Sequence, residues 1–214
     1  MGARGEKRWP MAITLVVAVA LTVTLPLRYS VGPDWIFPTI EVLLLASVII
    51  VDPGRIDRRT RGVRILNITL VSFLVAKAAG MTVRLIADLV RGGKDTNSPA
   101  QLLWVGFVVW IFTIISFALF YWTFDGGGPE VRAEGMSPYP DLAFPEQLNP
   151  HIAPPGWRPE FFDYLYLGFT NATAFSPTDV MPQKHWAKLA MAVQAMASIV
   201  VLGLVIARAV NILK

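Results

Sequence analysis

Five apolar runs constrain this chain more than anything else in it. They cover Met11 to Leu27, Trp35 to Val51, Ile65 to Val90, Leu102 to Phe124 and Trp186 to Leu213. Each reaches at least the roughly 17 residues that a membrane-crossing helix needs. Hydrocarbon offers the backbone no partners, so such segments fold as helices. The chain is 54% hydrophobic and 16% charged, whereas a soluble domain is about 45–50% apolar and about 25% charged. We therefore expect an all-α integral membrane protein of five to six membrane helices, with one long Pro- and Gly-rich loop.

Charge placement sets the orientation. Arg4, Lys7 and Arg8 precede the first run, and Arg28-Tyr29-Ser30 follows it where a cleavage site would carry small residues. We read a retained helix rather than a signal peptide. Gly32-Pro33-Asp34 and Asp52-Pro53-Gly54 close turns around the second run. Arg55, Arg58, Arg59, Arg61 and Arg64 then crowd one short loop. Such loops stay cytoplasmic, so the net charge of +4 marks topology and not nucleic-acid binding. Trp9, Trp35, Trp104, Trp122, Trp157 and Trp186 stand near segment ends, as an aromatic belt does.

Charges inside the runs are candidate functional groups. Glu41 lies within the second run, and an ionisable group there must face protein or water. In the third, Lys77, Arg84 and Arg91 recur every seven residues, and Asp88 follows Arg84 by four. Either these form a charged seam against the bundle or the second half of the helix lies at the interface. A voltage sensor repeats arginine at every third position, which this helix does not. We expect Glu41 to pair with Lys77 or Arg84.

The chemistry of enzymes is not visible. The chain has no cysteine, which removes disulfides and thiolate ligands. His151 has no second ligand at metal spacing, and His185 reads as an interfacial residue. Gly126-Gly127-Gly128 follows a span and opens no phosphate-binding helix. Asn171-Ala172-Thr173 matches a glycosylation acceptor but sits in an apolar segment. We expect no enzyme activity, no metal and no cofactor.

The last third has a distinctive order. Within Glu160 to Pro182 a short aromatic segment, Phe161 to Ala174, is too brief to span comfortably and leads into a polar stretch, and then comes a full-length apolar run. This resembles the pore helix, filter loop and inner helix of the potassium-channel pore module. Phe169, Thr173, Asp179 and Pro182 match that module, while Ser176, Pro177 and Thr178 replace its Gly-Tyr-Gly filter. A potassium filter lines up backbone carbonyls in place of the water shell. Pro177 fixes its own φ and biases Ser176 toward extended backbone, so that ladder cannot be repeated. The filter-like loop is thus Thr173, Ser176, Pro177, Thr178 and Asp179. In the last run, Gly203 and Ala207 form a small-residue pair suited to close helix packing.

A second resemblance covers roughly residues 100 to 213. Phe120-Tyr121-Trp122 with Gly126-Gly127-Gly128, Phe144-Pro145, Asp163-Tyr164-Leu165-Tyr166, Phe175-Ser176-Pro177-Thr178-Asp179 and Ala207-Arg208-Ala209-Val210-Asn211 are similar to a family of uncharacterised bacterial integral membrane proteins. It implies architecture, a multi-pass place in the bacterial inner membrane and no known activity.

We divide the chain into a three-helix membrane region, 1–99, and a pore-module-like region, 100–214. The second holds a helix, the 125–159 loop, the pore-helix-like segment 160–182 and the last helix 186–213. Membrane lipids are the expected partners, and a pore with one loop per chain would need a homo-oligomer. A small-solute or ion transporter using Glu41, Lys77 and Arg84, and a non-conducting subunit of a membrane complex, stand as alternatives. Of the topologies considered, six membrane segments with both chain ends cytoplasmic suit the charge rule best. A single cysteine at Thr60→Cys is expected to resist an impermeant thiol reagent in intact cells and to react once the membrane is opened. Labelling in intact cells would overturn the cytoplasmic assignment.

Overall fold

The computed structural model describes residues 5–26, 35–51, 54, 61–91, 98–135, 139–149, 151–173 and 179–213. Among the described residues the chain is all-α apart from one short ribbon. Its elements are α1 (Trp9–Val23), α2 (Ile36–Val51), α3 (Arg61–Arg91), α4 (Pro99–Phe124), α5 (Pro129–Glu134), β1 (Leu142–Ala143), α6 (Pro145–Leu148), α7 (Phe161–Thr173), β2 (Met181–Pro182) and α8 (His185–Leu213). Among the described residues three helices, α3, α4 and α8, are long and apolar enough to cross a membrane, and α1 and α2 are shorter apolar helices.

Helix ends follow local chemistry. Pro99 opens α4 behind an extended Ser98, where its missing N–H costs nothing. The same helix stops at Asp125, which turns extended. Gly126, Gly127 and Gly128 then take φ of 58°, 87° and 105°, a left-handed run that side chains resist. The α1 helix ends at Val23, before Pro26.

The central helix is α4. Its most apolar window is 72% buried, against 44% for α3 and 33% for α8. Val105, Val109, Phe112, Ile115, Ala118 and Trp122 fill the space between it and its neighbours. The α8 helix buries one seam against it, through Ala187, Gln194, Ser198, Val201 and Val205. That spacing alternates three and four residues, the period of helices packed at a shallow angle.

Contacts between helix ends fix the direction of each. The Arg8 N–H donates to Gly54 O at 3.1 Å, so α1 starts where α2 finishes. Trp104 Nε1 donates to Thr24 Oγ1 at 3.3 Å, so α1 finishes where α4 starts. Trp122 Nε1 donates to Glu6 Oε2 at 2.9 Å, bringing the end of α4 back beside the start of α1. We call this the Glu6 end of the bundle.

The α7 helix also starts at the Glu6 end and stops inside. It has 13 residues, about 20 Å at 1.5 Å per residue, against about 30 Å of hydrocarbon. Phe169 lies against Trp110, midway along α4, with ring centroids 6.1 Å apart. The chain then returns. Antiparallel β1 and β2 pair Leu142 with Pro182 and Ala143 with Met181. Gln183 N–H donates to Asp141 O at 2.8 Å, and Trp186 Nε1 to Asp141 Oδ2 at 3.2 Å. From there α8 runs to the opposite end, antiparallel to α4.

The described N- and C-terminal segments lie at opposite ends, because α7 is too short to cross and the ribbon anchors the segment after it at the Glu6 end. Within this chain the small-residue pair Gly203 and Ala207 is exposed and, among the described residues, packs no helix. A Cβ on Gly203 would meet nothing within 4 Å. Close approach occurs instead at Gly106, against Val205, and at Gly168, where an added Cβ would stand 3.0 Å from Ile114 O and 3.3 Å from Ala118 Cβ.

Gly168→Val is therefore expected to push α7 off α4. Overpacking of this kind costs about 1–3 kcal/mol. Gly203→Ala should leave thermal unfolding in detergent unchanged. Equal melting temperatures for the Gly168→Val and wild-type proteins would contradict the seating of α7.

Candidate functional site

Polar side chains inside the bundle gather at three places. At the first, Lys77 Nζ lies 2.8 Å from Glu41 Oε1 and 3.2 Å from Thr22 Oγ1. It also stands over the Phe112 ring at 4.9 Å. Four helices, α1 to α4, meet around one ammonium. Glu41 is 1% exposed and Lys77 5%. Among the described residues Glu41 Oε2 has no hydrogen-bond partner.

Of the two partners expected for Glu41, the geometry selects Lys77. Arg84 is exposed and Asp88 half-buried, so the seven-residue repeat does not form one buried seam. A straight helix turns about 20° off a seven-residue repeat in each heptad. The buried stripe of α3 accordingly runs through Leu74, Lys77, Met81, Leu85 and Leu89, leaving Arg84 behind. The α2 helix also begins at Ile36, a little over one turn beyond Glu41, so the upper part of α3 outreaches it.

The second place is where α7 ends. Gln194 Nε2 donates to Gly168 O at 2.7 Å. Its Oε1 accepts from Tyr121 OH at 2.7 Å and from Asn171 Nδ2 at 2.8 Å. Asn171 Nδ2 also reaches Met191 O at 3.0 Å. One amide thus locks α7 and α8 to α4. Isolated polar residues in apolar helices are the only sequence signal for this clasp. Thr173 closes α7, its hydroxyl donating to Phe169 O at 3.0 Å. Asp179 is exposed at the start of the returning segment. Ser176, Pro177 and Thr178 lie outside the described residues. The last carbonyls of α7 end mid-bundle, where the negative pole of the helix favours positive charge.

The third place is at the Glu6 end, and sequence reasoning missed it. Asp125 Oδ1 accepts from Asp141 N–H and Leu142 N–H, both at 2.9 Å. Its Oδ2 accepts from Tyr164 OH at 2.5 Å. Arg132 stacks on the Tyr164 ring at 4.8 Å and donates to Trp122 O at 2.8 Å and Asp125 O at 2.6 Å. In the sequence Asp125 reads only as the first residue of a polar loop. Its partners are 16 to 39 residues away in sequence, beyond any local pattern. Among the described residues no group of three or more His, Asp or Glu could hold a metal ion.

The buried ion pair makes an asymmetric prediction. Glu41→Gln or Lys77→Met alone leaves an uncompensated buried partner and is expected to cost about 3–5 kcal/mol. The double variant Glu41→Gln/Lys77→Met should regain most of it. Thermal unfolding in detergent measures both, and additive losses would refute the coupling.

No family model, no curated protein and no solved structure matches this chain.

Proposed function

We propose that this chain is a multi-pass integral membrane protein built on a re-entrant, pore-loop-like unit of α4, α7 and α8 that does not select potassium. One observation carries the reading: the β1–β2 pairing returns the chain, after α7, to the end of the bundle where α7 began. A helix that enters halfway, is clasped at its tip and is followed by a full-length helix repeats the order of a pore module. Half-length helices whose poles end in the membrane interior are how channels and transporters place charge there.

Surface chemistry supports a lipid environment. Val16, Leu43, Ile50, Val83, Leu103, Leu189, Met196 and Ile206 face outward. A groove of about 440 Å³ between α1, α4 and α7 is lined by residues such as Ile13, Val17, Ile114, Leu165 and Phe169, suiting acyl chains. Gly54, which accepts from Arg8 N–H at the Glu6 end, is followed in the sequence by Arg55, Arg58 and Arg59. The charge rule makes that end cytoplasmic. On this reading α7 enters from the cytoplasmic face, inverted relative to a potassium pore, and the chain belongs in a bacterial inner membrane.

A second reading, an ion or small-solute transporter, is favoured by the unpartnered Glu41 Oε2 beside Lys77. An intramembrane carboxylate of this kind is a functional group by default.

Single cysteines test the re-entrant path. Gln183→Cys and Thr60→Cys are expected to label from the same side of the membrane. Labelling from opposite sides would show that 160–182 crosses. Purified protein in liposomes with opposed potassium and sodium gradients tests selectivity, and a strong preference for potassium would refute the reading.

A further inference from the structure

The groove between α1, α4 and α7 has a volume of about 440 Å³ and opens sideways from the bundle. Its walls are apolar: Ile13 and Val17 from α1, Ile114 from α4, and Leu165 and Phe169 from α7. Ligand sites have volumes of this order, mostly apolar walls and a few placed polar groups. Two hydroxyls interrupt these walls. Thr14 Oγ1 donates to Pro10 O at 2.9 Å and is satisfied within its own helix. Tyr166 is 58% exposed, and among the described residues nothing accepts from its hydroxyl. The groove therefore suits a long apolar body that carries a hydrogen-bond acceptor at one level.

That level is near the Glu6 end. Tyr166 stands five residues beyond Phe161, where α7 starts, a rise of about 8 Å. Side chains on a helix lean toward its N-terminus, so the hydroxyl is carried back toward that start. Two opposite charges flank the same end of the groove. Glu6 Oε1 accepts from the Phe161 N–H, so Glu6 caps α7 and joins its start to the segment before α1. Lys7 follows Glu6, Glu160 precedes Phe161, and both are exposed. Trp9, 59% exposed, opens α1 beside them. Aromatic rings of this kind settle at the level of lipid headgroups.

We propose that this groove holds an acyl chain of one zwitterionic glycerophospholipid, whose ester carbonyl accepts from Tyr166 and whose phosphate and ammonium meet Lys7 and Glu160. This deepens the lipid environment read above, on which it rests, from a surrounding solvent to a single retained molecule. The order of groups agrees. In the lipid the ester lies between the headgroup and the chain. Along the groove Tyr166 lies between the charged end and the apolar walls that run on to Phe169. An ammonium donates charge-assisted hydrogen bonds to phosphate, and the lipid's own ammonium does the same to a carboxylate. One exposed cation beside one exposed anion matches a headgroup that carries both signs.

The full chain in nanodiscs of equal phosphatidylethanolamine and phosphatidylglycerol tests this, each lipid in turn carrying a photoreactive diazirine in its acyl chains. In nanodiscs every outward apolar face should be labelled, Val83 on α3 and Met196 on α8 among them. After transfer to lipid-free detergent, labelling should persist around Val17 and Phe169 and disappear from Val83 and Met196. Native mass spectrometry should then count one phosphatidylethanolamine per chain. Tyr166→Phe removes only an exposed hydroxyl and should speed loss of that lipid about fivefold, the scale of one neutral hydrogen bond. Val17→Trp fills the groove and should abolish retention, whereas Val83→Trp should not. Labelling lost from every face in detergent, retention unchanged in both Tyr166→Phe and Val17→Trp, or preferred retention of phosphatidylglycerol would overturn the proposal. So would a dimer whose groove carries no lipid, which would make a second copy the occupant. These outcomes leave the membrane reading standing, whereas no labelling on any face in nanodiscs would overturn that reading as well.

Discussion

The Asp125 carboxylate holds the C-terminal half of this protein together. It stands at the end of the central helix and takes hydrogen bonds from the Asp141 and Leu142 amides and the Tyr164 hydroxyl. The first two fix β1, and β1 fixes the segment that comes after α7. The third fixes α7 itself. Burial makes such a network demanding, since each donor left unmade would cost about 1–3 kcal/mol. Gly126, Gly127 and Gly128 turn the chain sharply enough for Arg132 to close the same cluster from α5.

Two further polar groups act on the same architecture at different depths. The Gln194 amide fastens the tip of α7. The Lys77–Glu41 pair fastens the N-terminal helices, in surroundings where neither charge could stand alone. In the lipid environment proposed above, burial of apolar area would drive helix association only weakly. Close packing at Gly106 and Gly168 and a few well-placed hydrogen bonds set the arrangement instead.

Much of the fold was legible in the residues. Apolar runs marked α1, α2, α3, α4 and α8, because hydrocarbon imposes helix on any such segment. The aromatic segment before the polar stretch was legible as a short helix, and whether it crossed or turned back was left open by its length. The Glu41 pairing was narrowed to two cations, and only the packed depth of α2 against α3 separated them, Lys77 lying level with Glu41. The carboxylate cluster was hidden, since Glu6, Asp125 and Tyr164 share no spacing.

By itself the sequence determined the helices and the exclusion of cysteine chemistry. These depend on local backbone preference and on composition, which each segment carries alone. Only the tertiary structure decided that the chain turns back after α7, that Lys77 takes Glu41 and that Glu6 caps a helix from the far side of the sequence. Those outcomes depend on hydrogen bonds between residues distant in the chain, and the geometry that joins them exists only once the helices have packed.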